Sequence, residues 1–105
     1  MVATMALAAC TVKKGTITQK NAAAQTDTFK TKSGKEVIFT AIKHASIRIT
    51  YEGKEIEVDP VRALKPTTDY SRFPKADYIL VTHEHFDHCD TAAIRQLEKP
   101  TTVIV

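Results

Sequence analysis

The stretch "YILVTHEHFDHCD", residues 78–90, decides how this chain is read. An apolar run ends at Val81, and His83, Glu84, His85, Asp87, His88 and Asp90 crowd in behind it. Three of the chain's four histidines lie here. With Ala76 and Asp77 before it, the run reads as a short, nearly continuous apolar strand of the kind buried on both faces. Downstream, Asp90 or Thr91 can cap a helix, and Ile94 and Leu97 give that helix an apolar stripe at helical spacing. Pro100 stops it, and "TTVIV" starts another strand. Strand, loop, helix and strand in that order are a βαβ signature, so the class is α/β.

The loop lies between the carboxyl end of a buried strand and the start of a helix, where ligand sites in α/β sheets collect. Residues two apart in extended backbone point the same way, so His83 and His85 can converge on one point. Asp87 and His88 are sequence neighbours and rarely share a target. One short segment cannot surround a single ion, so the spacing favours two adjacent ions. His83 and His85 would serve one, Asp87 and His88 the other. Imidazole with carboxylate suits zinc, with manganese or iron as alternatives. Two such ions about 3.5–4 Å apart activate water between them, which is hydrolytic chemistry on a small-molecule substrate. The plain alternative is an incidental polar loop.

Upstream, three segments read as an antiparallel meander. Residues 36–42 are β-branched and aromatic. "SIRITY" alternates, with Ile47, Ile49 and Tyr51 on one face. After a turn at Glu52 and Gly53, "EIEVD" alternates again, with Ile56 and Val58 directed inward. Asp59-Pro60 ends the third strand, because proline cannot donate to a ladder. Residues 61–75 contain Pro66 and Pro74 and read as a loop with one helical turn. Order is expected to begin near Gly34. Residues 1–33 are expected to form a truncated lipoprotein signal and a flexible tail, and 34–105 the folded part.

The totals narrow the function classes. A net charge of +3, with Lys and Arg at 15 against Asp and Glu at 12, is mild. No run of like charges points to nucleic acid. Two cysteines, Cys10 and Cys89, do not make a disulfide framework. "LAAC" ending at Cys10 resembles a bacterial lipobox, although no basic residue precedes it. If that signal is real, Cys10 carries a lipid anchor and the protein is periplasmic or membrane-anchored. Otherwise the expectation is cytoplasmic. The oligomeric state is not legible.

"THEHFDH", residues 82–88, matches the HxHxDH signature and resembles the metallo-β-lactamase superfamily. "KHASIRI", "EIEVDP" and "PKADYILVTHEHFDH" are similar to its branch of ascorbate-6-phosphate lactonases and related hydrolases. The resemblance implies the N-terminal part of an αββα sandwich, with a mixed, mainly antiparallel sheet and a helix after the metal loop. It implies His83 and His85 on a first ion, Asp87 and His88 on a second, and a catalytic role for Asp87. Asp59 would stand behind the metal loop and support it. His44 matches a histidine of this branch near the first hairpin, with no direct role assigned. Glu84 is expected to face solvent, Cys89 to be a small buried side chain, and Phe86 to pack down and anchor the loop.

The resemblance also implies later ligands: a third histidine, a bridging aspartate and a final histidine. The sequence has no histidine after His88 and no aspartate after Asp90. The expectation is an incomplete metal-dependent hydrolase, inactive alone. A small metal-binding module without catalysis is the alternative.

Overall fold

The structure, a computed structural model, describes residues 25–105. Cys10 and most of the expected tail lie outside them. Six strands and one helix follow in order: β1 (Gln25–Lys30), β2 (Glu36–Lys43), β3 (Ser46–Tyr51), β4 (Lys54–Val58), β5 (Tyr78–Leu80), α1 (Thr91–Leu97) and β6 (Val103–Ile104). A single 3-10 turn, Tyr70–Arg72, interrupts the long connection before β5.

The sheet runs β1-β2-β3-β4-β5-β6 in sequence order. The first three pairings are antiparallel, and β4-β5 and β5-β6 are parallel. Glu52 and Gly53 both take left-handed backbone at the β3-β4 turn. That conformation matches the twist of a two-residue hairpin, and Gly53 accepts it without a Cβ penalty. Parallel β5 and β6 need a crossover, and α1 supplies it. Asp90 caps α1, its side chain accepting from the backbone N–H groups of Ala92 and Ala93.

β1 corrects the expected onset of order. Residues 25–30, "QTDTFK", pair with β2 from Gln25↔Ala41 to Lys30↔Glu36. Every residue of β1 is exposed, so no alternation of burial marks it. Backbone pairing holds it, helped by Phe29 edge-on to Phe39 and by a Thr26–Thr40 hydroxyl contact.

The core sits on one face of the sheet. Tyr70, Ala76, Ile79, Ala93 and Leu97 are fully buried there, with Ile42, Phe73, Val81 and Ile94 packed around them. Fully burying Ile79 and Leu97 contributes about 1.5–3 kcal/mol each. Directly paired residues share a face, so Arg48, Glu57 and Ile79 lie on the covered side. Ile47, Ile49, Ile56, Val58, Tyr78 and Leu80 lie on the other.

Two expectations are corrected by that geometry. The alternation has the right parity, but α1 and the long connection cover the opposite face from the one assigned inward. The residue that β4 buries most deeply is Glu57, at 1% exposure, rather than Ile56 or Val58. β5 is buried on one face only, with Tyr78 and Leu80 exposed around Ile79. A continuous apolar run records what a strand can bury on both sides and leaves open which side is covered.

Candidate metal centre

The topology gathers the chemistry-bearing residues at one edge of the sheet. β2 ends, β3 begins, and β4 and β5 end along that edge, with registers Lys43↔Ser46, Ile47↔Val58 and Val58↔Leu80. The β2-β3 turn, Asp59 and the histidine loop therefore meet there.

Asp59 is the foot of the site. It follows β4 directly, takes a left-handed φ of 44° and is 1% exposed. Its Oδ1 accepts from the Thr82 backbone N–H at 2.7 Å. Its Oδ2 accepts from Thr82 Oγ1 at 2.7 Å and from His88 Nδ1 at 2.8 Å. Burial pushes this carboxyl up, but the bonds from Thr82 and His88 outweigh it and hold Asp59 below the ordinary carboxylate range. The backbone is tied as well. Ser46 Oγ donates to the Asp59 carbonyl at 2.6 Å, and Asp59 N–H donates to Leu80 O at 2.8 Å.

This network also engages two of the histidines. The one hydroxyl proton of Thr82 goes to Asp59, so Thr82 Oγ1 is left as an acceptor for His83 Nδ1, 3.0 Å away. His83 and His88 thus both commit Nδ1 to this network, and Nε2 is the ring nitrogen that each leaves outside it. Metal-binding histidines are oriented by hydrogen bonds of this kind. The two rings lie 4.0 Å apart between centroids, and the exposed His85 ring packs edge-on to His83 at 4.6 Å.

Asp87 stands between two groups of donors. One atom from each of His83, His85 and Asp87 lies within 4.8 Å of the others, and the same holds for His44, Asp87 and His88. Asp87 Oδ2 accepts from His44 Nε2 at 3.1 Å and lies 3.7 Å from His88 Nε2. Burial raises the Asp87 carboxyl, while its own backbone N–H, the His44 bond and the charge of His88 and His44 bring it below the ordinary value. Imidazole nitrogens around a shared carboxylate fit zinc, manganese or iron, so the donor set suits the ions that the motif implies.

The structure thus gathers His83, His85, Asp87 and His88 and sets Asp59 behind them. Among neighbouring residues, Glu84 is exposed and Cys89 is half-buried. Phe86 corrects its expectation: at 77% exposure it anchors nothing among the described residues. Asp59 and Asp90 fix the loop at its two ends instead, Asp90 Oδ2 also accepting from Arg62 N–H at 2.7 Å. His44 is the residue that sequence reasoning left without a role. The available signal was positional: a turn after β2 shares its sheet edge with the loops after β4 and β5.

The model of the beta-lactamase superfamily domain matches residues 38–104. The chain belongs to that family. UPF0173 proteins of Pyrococcus abyssi and Pyrococcus furiosus are each 47% identical to it over 45 residues. Those matches cover 43% of this chain and 20% of each relative. The crystal structure of a candidate metal-dependent hydrolase from Parabacteroides distasonis superposes with a TM-score of 0.73 at 54% identity. That likeness covers 78% of this chain and 36% of the other, so the family member described here spans well under half the length of its relatives. The fold is accordingly a mixed six-stranded sheet with one helix, similar to that hydrolase.

Proposed function

We propose that this chain carries part of a dinuclear metal centre that hydrolyses an ester, lactone or phosphoester. The observation that supports it best is the Asp59 network, which engages Nδ1 of both His83 and His88 and leaves Nε2 of each as the ring nitrogen open to a metal beside Asp87. A loop without a ligand to hold has no need of two imidazoles tied by Nδ1 to one buried carboxylate, His88 directly and His83 through Thr82.

Divalent ions bound there, zinc first and manganese or iron next, would lower the pKa of water and polarise the substrate's carbonyl or phosphoryl oxygen. The remaining work falls to the chain. His83 and His85 would hold a first ion, and Asp87 with His88 a second. Asp87 belongs to both groups of donors, so it would set their spacing and carry the catalytic role. Asp59 aims His88 directly and His83 through Thr82. The exposed ring of His85 leaves the solvent side open to a small-molecule substrate and to further ligands from outside the described residues.

Metal analysis after growth with zinc, manganese and iron tests the reading. The expected result is a stoichiometric transition metal that His83→Ala and His88→Ala remove, with chelator-sensitive turnover of a generic ester or lactone wherever the full ligand set is present. A protein that stays empty under those conditions refutes it. A chain that takes up metal with no turnover in any setting supports the simpler metal-binding module.

A further inference from the structure

We propose that His44 is a protein ligand of the second ion, joining Asp87 and His88. The inference rests on the dinuclear reading above and extends it to a residue outside the histidine loop.

Three observations carry it. The first is spacing. Donor atoms around a tetrahedral ion with bonds of about 2.0–2.1 Å lie about 3.4 Å apart. Asp87 Oδ2 lies 3.1 Å from His44 Nε2 and 3.7 Å from His88 Nε2, on either side of that edge length. The His44 and His88 rings are 5.1 Å apart between centroids, so both reach the same carboxylate oxygen without stacking on each other.

The second is backbone. His44 takes a left-handed φ of 51° in the β2-β3 turn. A residue with a Cβ pays for that conformation, and such residues concentrate at ligand sites. Glu52 takes a similar conformation at the exposed β3-β4 turn, so the backbone supports the assignment only together with the position of the His44 ring beside Asp87.

The third is anchorage. Lys43 Nζ donates to the carbonyls of Arg62 at 2.9 Å, Pro66 at 2.8 Å and Leu64. On the other side, Ser46 Oγ donates to the carbonyl of Asp59. The turn is thus fixed to the same residue that orients His88, and the His44 ring is presented at a set distance from it. In the structure His44 Nε2 lies at hydrogen-bond distance from Asp87. A metal ion there would be met by the Nε2 lone pair of the tautomer that carries the ring proton on Nδ1.

Zinc titration of the full chain labelled with 15N at histidine tests the assignment. Long-range imidazole spectra read each Nε2 separately. His44 Nε2 is expected to move to the metal-bound position in step with His88 Nε2. Movement of His83, His85 and His88 with His44 unchanged overturns this inference alone. No response from any of the four overturns the dinuclear reading and this inference with it. His44→Gln separates ligation from simple hydrogen bonding, because its amide still donates to Asp87 but has no nitrogen lone pair to give. If His44 ligates, His44→Gln and His44→Ala both weaken binding of the second zinc by more than about tenfold. Wild-type affinity in His44→Gln overturns the proposal, since the role would then be to hold Asp87.

Discussion

The foot of the histidine loop and the middle of β4 each bury a carboxylate, two residues apart, to the same 1% exposure. Asp59 has three donors on its two oxygens and is held below its ordinary range. Glu57 has no hydrogen-bond partner at either oxygen. Burial pushes it up to about 8, against the opposing pull of Arg48. Equal burial therefore gives opposite charge states near neutral pH. What separates the two regions is the supply of donors, and donors are concentrated where the loop must be held.

The comparison breaks if removing Asp59 is harmless. Asp59→Ala leaves His88 and Thr82 without their acceptor, and the expected cost is about 3–5 kcal/mol in urea unfolding. The same change should weaken zinc binding about 10–100-fold by calorimetry.

Glu57 should behave in the opposite sense. Glu57→Leu removes an unpartnered polar group from a buried site, with an expected gain of about 1–3 kcal/mol at pH 8. The wild-type pH dependence sharpens the point. Its folded value is raised, so the associated stability is fully present below pH 4.5 and is lost as pH rises through about 8. Glu57→Gln should flatten that slope in melting experiments run across the interval. An unchanged slope would place the titration elsewhere.

Smaller effects grade the foot itself. Thr82→Val removes the hydroxyl bonds to Asp59 and His83 but keeps the backbone bond to Oδ1, for an expected loss of about 1 kcal/mol by thermal unfolding. Phe86→Ala, at the exposed crest of the same loop, should stay within about 0.5 kcal/mol of wild type.

The sequence made the histidine loop legible because ligand chemistry there is local: side-chain types, a two-residue spacing, and a strand before and a helix after. The β2-β4 meander and the βαβ order were legible for the same reason, since alternation and turn residues act over short distances. Facing was not. Ile47, Ile49, Ile56 and Val58 look inward by composition, yet the covered face is decided by where α1 docks, forty or so residues away by the chain numbering. Glu57 shows the limit of pattern reading, because a charged residue between two apolar ones is read as solvent-facing. β1 was missed because "QTDTFK" is held by backbone bonds rather than by a buried side. His44 was undervalued because its partner is 43 positions distant and is brought to it only by register.

Lys43 and His44 are neighbours with separate targets, one reaching the carbonyls around Leu64 and the other the Asp87 carboxylate. Inserting or deleting a single amino acid in that bend would exchange their directions, aiming an ammonium at the cluster of imidazoles and a ring at the carbonyl cage. The length of this one bend is therefore under tighter constraint than the identity of most residues around it, and a survey of natural variants should find substitutions there long before it finds gaps.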